Sequence, residues 1–309
     1  MKRLQNRIAE SGYTLLVAIV YAVGIWLLSG LLAGRWWPQL ACYVASIYMM
    51  VELSNTNALL RVRNRMVSTC FVFLTCLYPE AFASFTGCFT QMCIVATLLL
   101  LFRTYQDNQS VGRTFYAFLF LGLASMAYIQ ILWLMPVLWL LMGTHLLSFS
   151  MRNMAASLIG LVTPYWFIML WFIYLQDFGP LQSHFSQLFS VQFPYDYLTI
   201  STSQVLTFFT ILALDITGII HFWHKSYEDK IRIRLLFGVF TTLSLLSLLI
   251  IALQPQLFQP MISLAFVCSC PLLAHFLTLT STRITNIAFF VIFIVCILVT
   301  GINLWTHWN

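Results

Sequence analysis

The chain has 309 residues, of which 61% are hydrophobic and 8% are charged, whereas a soluble domain is about 45–50% apolar and about 25% charged. So few charged side chains cannot keep the surface of a soluble protein of this length hydrated, and a water-soluble fold is therefore excluded. The net charge of +6 is explained by the positions of Lys and Arg along the chain and does not indicate a nucleic-acid partner.

Eleven apolar segments follow one another along the sequence. Crossing a hydrocarbon core about 30 Å thick takes roughly 20 apolar helical residues, and polar residues, Gly and Pro divide the chain into segments of about that length. They are residues 12–34, 37–56, 66–83, 86–102, 111–128, 130–149, 154–176, 202–223, 233–253, 261–280 and 284–306. The third contains Pro79 and Glu80 near its end, and the fifth and sixth are separated only by a short break around Tyr128. The sequence predicts an all-α, polytopic transmembrane bundle of about eleven spans that forms a single integral membrane domain, residues 1–309.

The positive residues predict the orientation of this bundle. If the N-terminus lies inside, every Lys and Arg except Arg35 falls on that same side, either before the first span, between spans or at the inner end of a span. These inner residues are Lys2, Arg3, Arg7, Arg61, Arg63, Arg65, Arg103, Arg113, Arg152, Lys225, Lys230, Arg232, Arg234 and Arg283. Because cytoplasmic loops carry the excess of Lys and Arg, we expect an inner (plasma) membrane protein with a cytoplasmic N-terminus and an outer C-terminus. The first span is expected to be an uncleaved anchor.

The outer segment 177–201 contains no Lys or Arg. Leu181, His184, Phe185 and Leu188 recur there at helical spacing, which predicts a short helix that lies along the outer interface. It is interpreted either as a connector that rests on the membrane or as a lid over a substrate groove.

Charged groups inside spans are candidates for function because they are costly in a bilayer. Asp215 lies within the eighth span, with Thr210 and Thr217 nearby. It is interpreted either as a ligand or coupling site or as an acid that is hydrogen-bonded between helices.

A polar run begins at the cytoplasmic end of the second span. Glu52 and Asn55 would share one helix face, and the guanidinium groups of Arg61, Arg63 and Arg65 would suit an anion such as a phosphate. These residues therefore predict a polar, anion-binding pocket, although cytoplasmic arginines are also what the topology alone requires.

Histidine and cysteine residues do not form a metal-binding pattern. His145 and His275 lie in separate spans and are interpreted as hydrogen-bonded helix contacts, and His221 and His224 as parts of a solvated loop. The cysteines fall almost entirely in apolar runs and are interpreted as small core residues. We expect no metal site and no cofactor.

Small residues at helical spacing predict close packing of the fifth and seventh spans. They are Gly122 and Ser125 in the fifth and Ala156 and Gly160 in the seventh. Pro136 and Pro271 are expected to loosen the sixth and tenth spans.

Parts of the sequence resemble known membrane families. Residues 115–141 (FYAFLFLGLASMAYIQILWLMPVLWLL) resemble a helix, break and Pro-containing helix in C-superfamily membrane glycosyltransferases, which use polyprenyl-phosphate sugar donors. Together with residues 55–65 (NTNALLRVRNR) and 152–165 (RNMAASLIGLVTPY), this segment also resembles an uncharacterised family of multi-pass inner-membrane proteins of Bacteroidota. The resemblance implies a glycosyltransferase-like scaffold and a polyprenyl-phosphate-linked donor.

One departure from the glycosyltransferase pattern bears on catalysis. Catalytic members carry an acidic residue in a long first outer loop, whereas here that loop is only about residues 34–38 and contains no carboxylate. The remaining outer carboxylates, Glu80, Asp177 and Asp196, are the candidate catalytic residues.

Three functions remain open. The first is an envelope-biogenesis protein that handles a lipid-linked or amphipathic ligand on a scaffold that need not be catalytic. The second is a permease or flippase that uses Asp215 and Glu52. The third is a non-catalytic subunit that anchors a membrane protein partner. In each case membrane lipids are the immediate surroundings, and whether the protein is an enzyme stays open.

Overall fold

The computed structural model describes residues 4–62, 64–189, 197, 200–280 and 282–308, and among them it contains helices and no β-strand. Fourteen α-helices follow one another along the described residues. They are α1 (Leu4–Glu10), α2 (Thr14–Leu28), α3 (Leu31–Gly34), α4 (Trp37–Asn57), α5 (Met66–Thr75), α6 (Phe85–Phe102), α7 (Val111–Ala127), α8 (Leu134–Thr144), α9 (Met151–Leu175), α10 (Gly179–Ser186), α11 (Thr202–Lys225), α12 (Ile231–Leu253), α13 (Phe258–Leu279) and α14 (Arg283–Trp308). The prediction of an all-α protein is confirmed.

Six helices in the described part of the chain are long and apolar enough to cross a membrane. They are α6, α9, α11, α12, α13 and α14, while α2, α5, α7 and α8 are shorter apolar helices. Helix α13 forms the centre of the bundle, since 89% of the residues in its most apolar stretch are buried, against 17% in α9. Six such helices indicate a membrane protein, and each of the eleven predicted segments contains at least one helix.

The third segment contains a short, buried helix followed by a break. Helix α5 has ten residues and is buried along most of its length, so at 1.5 Å per residue it spans about half of a hydrocarbon core. Beyond it, the carbonyl of Leu77 accepts a hydrogen bond from Asn303 Nδ2 at 2.6 Å, and the chain enters a 3₁₀ turn at Pro79–Ala83. A side chain of α14 thus satisfies a backbone oxygen that the interrupted helix leaves free.

A second break separates α7 from α8. Tyr128 is extended, with φ −140° and ψ 102°, and a 3₁₀ turn at Ile129–Trp133 leads into α8. Pro136 lies in the first turn of α8. Backbone N–H groups in the first turn of a helix have no acceptor within the helix, so proline costs no hydrogen bond there. The expectation that Pro136 loosens its helix is therefore wrong, whereas Pro271 does lie inside α13.

Helices α7 and α9 approach each other at the small residues that the sequence singles out for close packing. A Cβ atom added to Gly160 would lie 2.3 Å from the carbonyl oxygen of Phe115, and one added to Gly122 would lie 2.6 Å from that of Leu161. Ser125 Oγ and Tyr165 Oη lie 2.7 Å apart across the same contact. The two backbones therefore touch, with no room for larger side chains.

The helix predicted within residues 177–201 is present as α10. Leu181, His184 and Phe185 lie within it, and Leu188 follows in a 3₁₀ turn. His184 Nε2 lies 3.1 Å from the carbonyl oxygen of Ser125, which attaches α10 to the end of α7.

Hydrogen bonds between helix ends bring together two separate sets of segments. One set contains the pairs Gln5–Thr280, Arg61–Asp229, Asn64–Thr278, Arg103–Glu52, Gln106–Leu146, Ser150–Asn108 and Arg232–Asn57. The other contains Gln39–Ala83, Thr86–Tyr128, Gln130–Gln187, Ser203–Glu80, Tyr197–Ala252 and Asn303–Leu77. We call the end of the bundle formed by the first set the Arg61 end, and the end formed by the second set the Glu80 end.

Candidate functional site

The Arg61 end contains a cluster of charged residues from two connecting segments. Arg61 follows α4, whose C-cap residue Ala58 is in the left-handed conformation, with φ 46°. Its Nε donates to Asp229 Oδ1 at 2.7 Å, and its Nη1 donates to Glu228 Oε2 at 2.5 Å. Lys225 Nζ also donates to Glu228, at 3.1 Å. The Asp229 carboxylate, followed by Glu228, raises the pKa of the Arg61 guanidinium, so Arg61 stays charged.

Two histidines extend this cluster into the bundle. Asp229 Oδ2 lies 3.0 Å from His275 Nε2, and the two side chains are 1% and 0% exposed. His275 Nδ1 lies 3.3 Å from His221 Nδ1, and the rings of Phe222, Phe237 and Phe276 pack around the two imidazoles. We call His221, His275 and Asp229 the His–Asp chain.

The hydrogen-bonding pattern assigns the protons of the neutral His–Asp chain. A carboxylate only accepts hydrogen bonds, so His275 carries its proton on Nε2 and donates it to Asp229. His275 Nδ1 must then accept, which places a proton on His221 Nδ1. His221 Nε2 is left with a lone pair, and among the described residues this buried atom has no hydrogen-bond partner. An N–H at this position would have no acceptor among the described residues, which burial makes costly.

A polar cleft of about 340 Å³ lies beside the cluster, and Asn55, Arg61 and Asn64 are among the residues that line it. Two of the residues predicted to form an anion pocket, Asn55 and Arg61, thus do share a cleft. The Arg61 guanidinium is already paired with two carboxylates, which weakens its attraction for a further anion.

The other residues of the predicted anion pocket have different surroundings. Glu52 pairs with Arg103 at 2.9 Å, with both side chains about 40% exposed, and it accepts a hydrogen bond from Thr56. Arg65 precedes α5, where its carbonyl accepts a hydrogen bond from Thr69. Arg63 lies outside the described residues. The Glu52 pair is therefore separate from the cleft that Asn55 and Arg61 line.

Asp215 connects three helices in the middle of the bundle. Its side chain is buried, and Ser244 of α12 donates a hydrogen bond to Oδ2. Ser269 of α13 lies beside this pair, with its Oγ 3.4 Å from that of Ser244. Within the part of the chain that the structure describes, Oδ1 has no hydrogen-bond partner. This arrangement holds the helices together and also leaves one oxygen able to bind a proton or a cation.

Of the three carboxylates predicted to lie outside, the two that the structure describes make separate contacts. Glu80 accepts hydrogen bonds from Tyr78 at 2.9 Å and from Ser203 at 2.6 Å. Asp177 accepts one from the backbone of Gly179 at the start of α10, and Asp196 lies outside the described residues. Across the described ranges, no hydrogen bond joins Glu80 to Asp177. An acid pair for general acid and base catalysis requires mutual proximity, and these two carboxylates serve separate structural contacts.

An apolar groove of about 350 Å³ lies at the Glu80 end, between α11 and α12. Its lining is mainly aromatic and aliphatic, with one amide side chain. The lining residues are Tyr197, Ile200, Gln204, Val205, Phe208, Phe209, Ile251, Ala252, Pro255 and Phe258. Phe258 also contacts the ring of Tyr78, with the ring centroids 5.2 Å apart. The groove therefore adjoins the polar cluster around Glu80.

Comparison with protein-family models, with curated proteins and with solved structures finds no match to this chain. The resemblance to glycosyltransferases of the C superfamily and to the Bacteroidota family therefore rests on sequence motifs alone. Function has to be argued from the geometry of the groove and of the buried polar groups.

The sequence did not reveal the His–Asp chain. His275 is a hydrogen-bonded helix contact, as the sequence predicts, but it also has an acidic partner in Asp229. The interpretation of His221 as part of a solvated loop is wrong, because His221 lies in α11 and bonds to His275. Asp229 and His275 are 46 positions apart. The only available signal was that the predicted topology places both residues near the inner ends of neighbouring spans.

Proposed function

We propose that this protein is an eleven-span inner-membrane protein that holds a lipid-linked or amphipathic ligand at its outer side during envelope biogenesis, without catalysing a transfer. The observation that carries the proposal is the apolar groove beside the polar Glu80 cluster. In the proposed topology the N-terminus is cytoplasmic and the C-terminus lies outside.

The grouping of helix ends supports this topology. Every segment at the Arg61 end belongs to the side that the Lys and Arg residues mark as cytoplasmic, and every segment at the Glu80 end belongs to the opposite side. If the prediction contained one span too many or too few, every segment after that point would be assigned to the wrong side. The hydrogen bonds would then join segments assigned to opposite sides. The short helix α5 and the turn that follows it together count as one crossing. A broken helix can cross a membrane when its free backbone groups are satisfied within the protein, and here the carbonyl of Leu77 is bonded to Asn303.

Fusion of alkaline phosphatase, which is active only outside the cytoplasm, tests the topology. We expect activity from a fusion after Asn309 and none from a fusion at the N-terminus, because an odd number of spans places the chain ends on opposite sides. An insertion at the exposed inner residue Asn108 serves as the inactive control. Equal activity at the two chain ends would reject the eleven-span arrangement.

The groove has the properties that an amphipathic ligand needs. Its volume lies within the range of about 300–1,000 Å³ that is typical of ligand pockets, and its walls are largely apolar, including Phe208 and Phe258. Gln204 supplies a polar group at the groove, and Ser203 beside it bonds to Glu80. A hydrocarbon chain would lie against the apolar walls while a polar head would reach the interface. The polyprenyl-phosphate carrier implied by the glycosyltransferase resemblance has this chemistry.

The surroundings of Glu80 favour a non-catalytic role. Both of its carboxylate oxygens accept hydrogen bonds, from Tyr78 and Ser203, so the group already stabilises the turn after α5. An acid and base pair needs a second titratable group close by, and across the described ranges no hydrogen bond joins Glu80 to another carboxylate. The bonding of Glu80 therefore supports a structural function at the edge of the groove.

Filling the groove tests ligand binding. Ala252 lines the groove and is exposed, so Ala252→Trp is expected to lower crosslinking by a photoreactive polyprenyl phosphate at least about tenfold, because the indole occupies the space of the hydrocarbon chain. Leu249→Trp is the matched control, since Leu249 is an exposed residue of the same helix and is not among the residues that line the groove.

The outcome for a second probe identifies the kind of ligand. If photoreactive phosphatidylethanolamine labels the groove as strongly as the polyprenyl phosphate, the groove takes ordinary membrane lipid and the proposal of a lipid-linked carrier fails. Equal labelling of the two Trp variants by the polyprenyl probe would show that the ligand binds elsewhere.

A permease or flippase is the second candidate, and Asp215 favours it. A buried carboxylate with one oxygen unoccupied by any described residue, between helices α11, α12 and α13, has the chemistry of a coupling site for a proton or a cation. Helix α13 carries Pro271 two residues beyond Ser269, which offers a point of bending for a transport cycle.

A further inference from the structure

We propose that a second apolar groove, between α2, α5 and α14, binds one anionic phospholipid, with an acyl chain against its walls and the phosphate beside three arginines at its rim. We call it the Arg283 groove. It lies at the Arg61 end of the bundle, so it does not depend on the ligand groove at the Glu80 end. It requires that the chain spans a membrane, whichever compartment the Arg61 end faces.

The Arg283 groove has the shape of a hydrocarbon chain. Its volume is about 380 Å³, and it begins where α2, α5 and α14 all start. Phe289 and Ile297 both line it, and they are about 12 Å apart along α14. The groove therefore runs parallel to the helices, which is also the direction of acyl chains in a bilayer.

Aromatic rings join the three walls of the groove. Phe73 of α5 stacks on Tyr21 of α2, with the ring centroids 5.0 Å apart, and meets the edge of Phe293 of α14 at 4.7 Å. The hydroxyls of Thr14 and Thr69, which also line the groove, donate to backbone carbonyls of their own segments. The groove therefore presents hydrocarbon to its occupant.

Three exposed arginines lie next to this apolar surface. Arg7 and Arg65 are each followed directly by a residue that lines the groove, and Arg283 lies seven residues before Phe290, on the same face of α14. Among the described residues, the three guanidinium groups form no ion pair. Glu10 is the one acidic residue in α1, α2, α5 and α14. Positive charge is therefore in excess at the rim.

An anionic phospholipid complements both features. Its acyl chain covers the apolar walls, and its phosphate matches the geometry of a guanidinium. Basic residues near the membrane surface attract anionic lipids. Inorganic phosphate would leave the groove uncovered, whereas a phospholipid with no net charge would gain little from the excess positive charge. Arg152, at the start of α9, is also exposed but is not next to this groove, so it provides a control.

Photocrosslinking of the full-length protein in phosphatidylcholine nanodiscs tests the site. The probes are phosphatidylglycerol, which is anionic, and phosphatidylcholine, both with the same photoreactive acyl chain. At equal mole fraction we expect phosphatidylglycerol to label the lining residues of α2, α5 and α14 at least about tenfold more, since each arginine near the surface contributes about fivefold. Mass spectrometry of the labelled peptides locates the crosslinks.

Charge variants separate this site from a general attraction of the protein surface. Arg283→Gln is expected to lower phosphatidylglycerol labelling about fivefold and to leave phosphatidylcholine labelling unchanged. Arg152→Gln removes the same charge at the same end of the bundle, and should change neither. If Arg283→Gln fails to fold, Arg7→Gln makes the same prediction.

A pair of valines on α2 tests the position of the acyl chain. Val17 lines the groove and is 62% exposed, whereas Val20 is 65% exposed and is not among the lining residues. Val17→Trp should lower phosphatidylglycerol labelling of α14 at least about fivefold because the indole occupies the groove, and Val20→Trp should not.

Three results would overturn the proposal. The first is equal labelling of the lining residues by phosphatidylglycerol and phosphatidylcholine, which would show ordinary contact with the bilayer. The second is an equal loss of labelling in Arg283→Gln and Arg152→Gln, which would show attraction to the whole surface. The third is equal labelling of the two Trp variants, which would place the acyl chain elsewhere.

Discussion

Asp229→Ala is expected to lower the free energy of unfolding by about 3 kcal/mol, the lower end of the range for removing one partner of a buried ion pair. The carboxylate is 1% exposed and accepts hydrogen bonds from both Arg61 and His275. Its removal leaves the buried N–H of His275 without an acceptor, and Arg61 retains only Glu228. Arg61 is itself 32% exposed, so water compensates part of its loss. Reversible unfolding in mixed micelles measures the difference.

The pair of Glu52 and Arg103 provides the control for this experiment. It is also an ion pair at the Arg61 end, with an N–O distance of 2.9 Å, but both partners are about 40% exposed. Glu52→Ala should therefore change the free energy of unfolding by no more than about 1 kcal/mol. If Asp229→Ala lowers the free energy of unfolding no more than Glu52→Ala does, the His–Asp chain is hydrated and not buried.

The helices were predictable from the sequence because the segments are long and apolar. Their positions depend on local composition, and helix is the conformation that satisfies the backbone of a single segment in lipid. The breaks were harder to place. The interruption after α5 depends on Asn303 bonding to the carbonyl of Leu77, a contact between residues 226 positions apart that composition does not reveal.

The candidate site was predicted only in part because ionic contacts join distant parts of the chain. The sequence predicts Arg61 as an anion ligand, but its partners are Glu228 and Asp229, 167 and 168 positions away. A guanidinium that faces two carboxylates stabilises the structure, whereas one that faces solvent would attract phosphate. The sequence shows how many charges there are, and the fold decides which of them neutralise each other.

For Asp215, the sequence predicts the burial of the side chain but not its hydrogen-bond partners. Its position inside a span was sufficient to predict a buried acid. The partners Ser244 and Ser269 come from two other helices, and serine is too common in spans to identify such a contact beforehand. The choice between a helix contact and a coupling site therefore depends on the packing of three helices.

Gly160→Val is expected to be the most damaging small substitution, with a loss of about 3 kcal/mol or more, the upper end of the range for overpacking. A Cβ at this position would lie 2.3 Å from the carbonyl oxygen of Phe115 and 3.2 Å from the amide nitrogen of Leu119. Both are backbone atoms of α7, so relief requires α7 and α9 to move apart, and close backbone approach is what holds such helices together in lipid.

The α7 helix itself provides a matched control for this substitution. A Cβ at Gly112 would meet no atom within 4 Å, so Gly112→Ala should be neutral or stabilising by up to about 1 kcal/mol, because alanine favours helix more than glycine does. Thermal unfolding of the two variants in the same nanodiscs gives the comparison. If Gly160→Val unfolds at the same temperature as Gly112→Ala, α7 and α9 are not in backbone contact.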